Sequence, residues 1–298
     1  MNKPASTRLR AIMADASDTL KGFLKPATGH RIGREHRVPS RKRKLDLGDL
    51  PTRYEGDLDK QEAKDATADL IEEAADLQRT LFAENRQSLL VVLQAMDAAG
   101  KDSAVRRCFS GFNPAGVRVT SFKSPTSYEL DHDFLWRVHP HAPAAGEIAV
   151  FNRSHYEDVL IVRVREWAPE PVWRGRYDHI NAFESLLADR GTRVLKFFLH
   201  VSRDYQAERL QRRLDLPDKL WKFNPADLIE RGYWDDYQAA FADAFTRCNT
   251  PAAPWFVVPS ERRWYRDLFI AKTVRDTLLE MDPQFPEPTV DPADYTIE

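Results

Sequence analysis

Apolar residues first fall into a regular pattern from about Lys60. Ala63, Ala66, Leu70, Ala74, Leu77 and Leu81 recur at steps of three and four, with acidic residues on the other faces. That spacing predicts an amphipathic helix packed on the main core. The pattern then changes: Leu89-Leu90-Val91-Val92-Leu93 is a continuous apolar run bounded by polar residues. Such a run predicts a strand buried on both faces. Similar runs occupy residues 117–122, 148–151, 194–199 and 255–258. Between them helical spacing returns, at 128–138 (Leu130, Phe134, Leu135, Val138) and at about 154–165, 178–189, 203–214, 225–247 and 262–280. Ser202 stands where an N-cap is wanted, with Asp204 in the first turn. Strands alternating with helices predict βαβ units, hence a parallel sheet covered by helices on both faces.

Composition narrows the class without naming a function. The 298 residues, 42% of them apolar, suffice for one large α/β domain. Residues 1–56, rich in Pro, Gly and charge, read as an N-terminal extension, and 57–298 as the domain. The first 25 residues are expected to be a solvated arm. The basic cluster from Arg31 to Lys44 reads either as part of that arm or as a cover for an anionic substrate. With a net charge of −2, any anionic partner must meet a local basic patch. No stretch of about 18 apolar residues occurs, so no membrane partner is expected and a cytoplasmic protein is. Cys108 and Cys248 match no metal-ligand spacing and are expected to be reduced thiols.

The candidate chemistry begins where the first strand ends. Gln94-Ala95-Met96-Asp97-Ala98-Ala99-Gly100-Lys101-Asp102-Ser103 leads from strand to helix. The phosphate-loop pattern G-x-x-x-x-G-K-[ST] fits at Gly100 and Lys101, but Ala95 replaces the first Gly and Asp102 the Ser/Thr. Small residues at 95, 98, 99 and 100 still let backbone N–H groups surround phosphate oxygens at a helix N-terminus. Lys101 adds a point charge. The hydroxyl that usually touches Mg²⁺ is missing, and Asp97 can supply an oxygen ligand in its place. Taken alone, the loop fits a ligand-free strand-to-helix turn about as well. Its position after the first strand of a parallel sheet favours a ligand. A second strand end carries Asn152-Arg153-Ser154-His155-Tyr156-Glu157-Asp158. Arg153 suits a phosphate fork. Glu157 and Asp158 either complete a metal shell through water or complement a helix dipole, the latter favoured for Asp158. His155 reads as structural.

Taken together, these segments resemble the polyphosphate kinase 2 family. Val92–Asp102 looks like its Walker A region and Asn152–Leu160 like its Walker B region. The likeness continues through Ser121-Phe122-Lys123-Ser124-Pro125-Thr126, Arg176-Tyr177, Lys196-Phe197-Phe198-Leu199-His200, Trp221-Lys222-Phe223 and Trp234-Asp235-Asp236-Tyr237, covering roughly 45–280. The resemblance implies a three-layer α/β/α P-loop kinase fold with a parallel sheet and a helical lid, here at about 203–230. It implies Mg²⁺, inorganic polyphosphate and adenine nucleotides, and a homo-oligomer. No nucleic-acid partner is expected. Carried over by position, Asp97, Lys101, Asn152, Arg153 and Glu157 are the expected catalytic residues, with Asp97 the metal ligand. Ala98, Ala99, Gly100, Lys101, Asp102, Ser103, Lys123 and Arg176 are expected at phosphate. Many family members have Asp at position 152 and Asn at 157; the pair Asn152 and Glu157 looks like the subgroup that phosphorylates both AMP and ADP. In the lid, Arg209 and Arg213 share a helical face and, with Lys219 and Lys222, are expected to track a phosphate chain. Arg203 and Arg212 read as solvated and salt-bridged, and Trp221 as core. Two other functions stay open: an ATP-dependent nucleotide kinase, and a polyanion-binding module without catalysis.

Overall fold

The computed structural model describes residues 18–39 and 45–297. The sequence cluster Arg41–Lys44 lies outside them. Five strands form one sheet: β1 (Ser88–Gln94), β2 (Val117–Ser121), β3 (Ile148–Asn152), β4 (Thr192–His200) and β5 (Trp255–Pro259). All pairings are parallel and the order is β2-β3-β1-β4-β5. The expected sheet is therefore present.

Alternation along β1 shows why the sheet needs two covering layers. Leu89, Val91 and Leu93 join one apolar cluster with Ala74 and Leu81 of helix α2 (Lys60–Glu84), Ala104 and Cys108 of α3 (Lys101–Phe109) and Ile270 and Val274 of the last helix, Arg263–Met281. Leu90 and Val92 turn to the opposite face and meet Phe183 of the Glu170–Asp189 helix. Each β1 side chain is buried, so the run has no polar face to display. Helix α2 starts at Asp59, whose carboxylate accepts from the N–H groups of Gln61 and Glu62, and ends at Asn85 with φ 53°.

Four helical expectations are corrected in detail. Only Ser127–Leu130 (α4) is helical within 128–138. Its capping box, Thr126 with Glu129, is followed by Asp133, whose side chain takes the N–H groups of Leu135 and Trp136 and turns the chain instead. Residues 155–159 form a 3₁₀ turn, followed by a single turn Ile161–Val164 (α5). Helix α6 begins at Glu170, earlier than expected, with a proline in its first turn. After α7 (Arg203–Asp215), the 225–247 pattern divides at Tyr233 into α8 (Ala226–Gly232) and α9 (Trp234–Arg247); the last helix is α10. Ser202 caps α7 through the Tyr205 N–H, as expected.

The solvated-arm expectation does not hold for residues 18–25. Asp18–Leu24 (α1) buries Leu20 and Leu24 beside Leu58, Leu70 and Leu268. Further on, Val38 donates to Trp255 O and Val257 to His36 O, so residues 36–38 line the outer edge of β5. Both cysteines are buried free thiols. No helix among the described residues is long and apolar enough to cross a membrane.

Candidate active site

β1 lies where the chain's strand order reverses, with β3 on one side and β4 on the other. At such a switch point the loops leaving the carboxyl ends of neighbouring strands diverge and leave a crevice. The 95–100 loop leaves β1 and the 153–158 segment leaves β3. Both contain strained backbone. Ala98 and Arg153 each have φ 62°, and Gly100 has φ 104°. A left-handed non-glycine residue costs about 1 kcal/mol or more and persists where its surroundings enforce it. At Arg153 the enforcement is a hydrogen bond from its N–H to Leu93 O, 3.0 Å.

The charged groups of the two segments interlock. Arg153 Nη2 is 2.5 Å from Asp97 Oδ1, and its Nη1 is 3.5 Å from Glu157 Oε2. Glu157, with desolvation opposing it, and Asp97 together push the Arg153 pKa upward, so it is a permanent cation between two carboxylates. Asn152 Nδ2 donates to Asp102 Oδ1 at 2.7 Å. Lys101 is buried, and Nζ donates to Ala95 O (2.9 Å) and Met96 O (3.4 Å). Burial first, then the Arg153 charge, bring the Lys101 pKa down to about 8.

Two cavities meet here. The larger, about 750 Å³, is lined by the phosphate-loop residues Asp97–Ser103, by Asn152 and Arg153, and by α7 and the segment after it. Four lysines and six arginines line it against three aspartates, so its field selects for a polyanion despite the near-neutral chain. The smaller, about 220 Å³, is lined by the apolar side chains of Leu130, Val138, Ile161, Val162 and Trp167, with Arg137, Asp158 and Arg176 at its polar end. Phe122, Lys123 and Arg153 line both, so the cavities share a wall beside the loop.

Most of the expected residues converge on the larger cavity: Asp97, Ala98, Ala99, Gly100, Lys101, Asp102, Ser103, Lys123, Asn152, Arg153, Arg209, Arg213, Lys219 and Lys222. Glu157 and Arg176 line the smaller one. Arg176 is held by Asp158, through Oδ1 at 2.9 Å and the main-chain oxygen at 3.0 Å. Asp158 stands in the first turn of the 3₁₀ helix, as a helix-dipole residue would, and is also the half-buried partner of Arg176, with burial pushing its pKa up to about 6. His155 is buried against Glu184, consistent with a structural part. One expectation fails: Trp221 is 77% exposed and lines the larger cavity instead of the core. Arg212 is exposed, as expected, and also lines that cavity.

Other residues at the site went unseen in the sequence. Arg106, Tyr205, Asp227 and Arg263 line the larger cavity. Arg266 is fully buried behind the loop, donating to Gly100 O (3.2 Å) and Ser103 Oγ (3.1 Å) while pairing with Asp267. A Cβ on Gly100 would lie 2.6 Å from its guanidinium, so Gly100 is required both by its φ and by Arg266. Gln206 donates to Asp97 O at 3.0 Å. No motif announces these residues, because each is 100 or more positions from the loop or sits inside an ordinary helical pattern.

As to metal, Asp97, Asp102 and the Asn152 amide offer the hard oxygen donors that Mg²⁺ accepts. No cluster of three or more His, Cys, Asp or Glu that could hold a metal occurs among the described residues. The donor set fits an ion held largely by substrate oxygens and water, with one or two protein carboxylates.

Comparison with known proteins agrees with this geometry. A family model described as polyphosphate kinase 2 matches residues 57–286. An AMP/ADP-polyphosphate phosphotransferase of Meiothermus ruber is 51% identical over 77% of this chain and 86% of its own length. An ADP-polyphosphate phosphotransferase of Rhodopseudomonas palustris is 41% identical over 83% of this chain and 90% of its own. A crystal structure of polyphosphate kinase 2 from Arthrobacter aurescens superposes with a TM-score of 0.84 at 39% identity, covering 90% of this chain and 95% of that one. A parallel α/β/α sheet, a phosphate loop at its switch point and these likenesses agree: the chain belongs to the polyphosphate kinase 2 family, with its P-loop kinase fold.

Proposed function

We propose that this protein transfers phosphoryl groups between inorganic polyphosphate and AMP or ADP, with Mg²⁺, giving ADP and ATP. The observation that carries the reading is the pair of joined cavities. One is a wide, cation-lined basin suited to a phosphate chain; the other is a smaller, largely apolar pocket suited to a nucleoside. Their shared wall, Lys123 and Arg153, is where acceptor phosphate and donor phosphoryl meet. The relatives' names, as AMP/ADP- and ADP-polyphosphate phosphotransferases, support the same substrates.

The attacking oxygen belongs to a nucleotide phosphate and is already ionised near neutral pH, so no strong general base is needed. The difficulty is bringing two polyanions into line. Lys101, Lys123 and Arg153 offset the accumulated charge, and loop N–H groups orient the transferring phosphoryl. Asp97, held by Arg153, orients that arginine and is the carboxylate placed to share Mg²⁺. The bound ion would supply further charge neutralisation on phosphate oxygens. Incubation with polyphosphate, Mg²⁺ and AMP or ADP, followed by nucleotide separation, should yield ADP and ATP. Turnover only when ATP is the donor would make the protein an ordinary nucleotide kinase instead.

The basin makes a separate prediction. Arg209 is half-buried at its wall, and Arg213 is anchored there by Asp227 at 2.8 Å. Arg209→Ala and Arg213→Ala should raise KM for polyphosphate and leave KM for nucleotide nearly unchanged. Affinity for long polyphosphate should fall with salt, and less steeply in each variant. A rise confined to the nucleotide KM would assign these arginines to the other substrate.

Acceptor choice is carried by Glu157, whose carboxylate lines the nucleoside-side pocket. Its pairing with Arg153 reduces the positive charge presented to the acceptor. ADP carries more negative charge than AMP and should benefit more from a stronger cation. Glu157→Asn should therefore lower the AMP:ADP ratio of kcat/KM, the quantity that measures discrimination. An unchanged ratio with both activities intact would leave Glu157 a turn residue only.

A further inference from the structure

Gln206 lies on α7, 1% exposed, and both ends of its amide are engaged. Nε2 donates to the main-chain oxygen of Asp97 at 3.0 Å, and Oε1 accepts from Arg231 Nη1 at 2.9 Å. Arg231 sits on α8 and also donates to Arg203 O, at 2.6 Å. One buried side chain thus joins the loop that bears Asp97 to the second helix of the 203–232 segment. That helix also carries Asp227, which lines the basin and pairs with Arg213.

The contact belongs to a wider arrangement. The oxygens of Ala95 and Met96 accept from Lys101, that of Asp97 from Gln206 and that of Gly100 from Arg266. A carbonyl oxygen presented to phosphate repels it, whereas a backbone N–H attracts it. Occupying these oxygens favours the loop geometry that offers N–H groups to the anion. Lys101 belongs to the phosphate-binding group itself, and Arg266 comes from the helix behind the loop. Gln206 comes from the side of the basin that carries the arginine track. A neutral amide suits this place. It donates to the loop while accepting from Arg231, which neither a carboxylate nor an ammonium could do.

We propose that Gln206 is a positioning residue for phosphoryl transfer: it ties the seating of α7 and α8 over the basin to the placement of Asp97. The proposal rests on reading 95–101 as the loop that holds the transferring phosphate.

The test compares Gln206→Met, Gln206→Glu and Arg231→Met. Gln206→Met removes both bonds. Gln206→Glu keeps the Arg231 contact but has no N–H for Asp97 O, and it guards against a folding failure of the methionine variant. Arg231→Met releases only the α8 end. A small misplacement of a catalytic group can cost up to about a hundredfold, so both Gln206 variants should lose at least about tenfold in kcat with the nucleotide KM unchanged. Arg231→Met should lose less. Amide exchange across residues 95–103 should speed up in the Gln206 variants while the β1 and β4 amides stay protected; this readout needs no turnover and so holds whatever the donor proves to be. A kcat within about twofold of the unmutated protein in Gln206→Glu, or unchanged exchange in the loop, overturns the proposal. An Arg231→Met loss equal to that of the Gln206 variants, with amide exchange across 95–103 unchanged in Arg231→Met, overturns it as well, since α8 would then act on turnover without passing through Asp97.

Discussion

Asp97→Asn and Lys101→Ala are each expected to cut turnover at least ~100-fold without unfolding the protein, as expected for loss of electrostatics aimed at the transferring phosphoryl. Asp97 is paired with Arg153 at 2.5 Å, so the asparagine removes the negative charge from that oxygen donor and loosens the cation that bridges the two strand ends. Lys101 places its ammonium inside the loop, 2.9 Å from Ala95 O, and no other lysine donates to the loop carbonyls among the described residues. Near-normal turnover in either variant, with a melting curve like that of the parent, would remove this loop from the mechanism. The lowered Lys101 pKa, about 8, adds a pH signature. The group is cationic below that value and neutral above it, so kcat/KM for polyphosphate should decline as pH rises through about 8, since that ratio follows the free enzyme. Arginine stays charged throughout. Lys101→Arg should flatten the alkaline limb whatever its absolute rate, and a decline that survives the substitution would assign it to another group.

The parts of the site that sequence revealed share one property: they depend on local chain chemistry. Leu89–Leu93 had to be a buried strand because every position is apolar, and Gly100-Lys101 followed it before a helix. Those two facts together located the loop, although Ala95 and Asp102 break the usual motif. Arg209 and Arg213 were legible because four residues bring side chains to one helical face. What stayed hidden depends on tertiary approach. Arg266 lies in a helix whose pattern marks it for the core, and nothing local says that its guanidinium reaches Gly100, 166 positions away. Gln206 is an unremarkable polar residue in α7 until Asp97 O arrives beside it. Trp221 was misjudged for the opposite reason. Tryptophan is usually core, but the chain after α7 lines the wide cavity and leaves the indole exposed on its wall. The 128–138 segment shows local chemistry overruling periodicity, since Asp133 captured N–H groups that a continuous helix needs.

Lys196→Met is expected to cost about 3–5 kcal/mol of stability, the range for removing one member of a buried ion pair. Lys196 is fully buried on β4 and spends its three donors on Glu184 Oε2 (2.6 Å), Tyr156 Oη (2.8 Å) and Cys248 O (2.6 Å). Glu184 is equally buried on α6, and its other oxygen accepts from Tyr156 Oη at 2.8 Å and faces His155 Nε2 at 3.4 Å. Burial, the largest single influence, would raise the Glu184 pKa; the Lys196 ammonium and His155 together outweigh it and hold the carboxyl below its ordinary value. Without the ammonium, that charge keeps only the Tyr156 and His155 contacts in a buried site, and the variant must leave the carboxylate without its cation or protonate it. Lys196→Met combined with Glu184→Gln removes both charges together and should recover much of the loss, because a neutral pair of similar volume avoids the stranded charge. The network also bears on the reaction. Tyr156 and His155 begin the 3₁₀ turn that carries Glu157, so loosening them lets the Arg153–Glu157 pair shift beside the smaller cavity. The single variant should therefore lose activity at temperatures well below its melting point, and the double variant should regain stability more fully than activity. Denaturant titration separates the cases. A Lys196→Met protein within about 1 kcal/mol of the parent would mean that water or a rearranged partner reaches Glu184, and that the buried pair is not what fixes the turn behind the site.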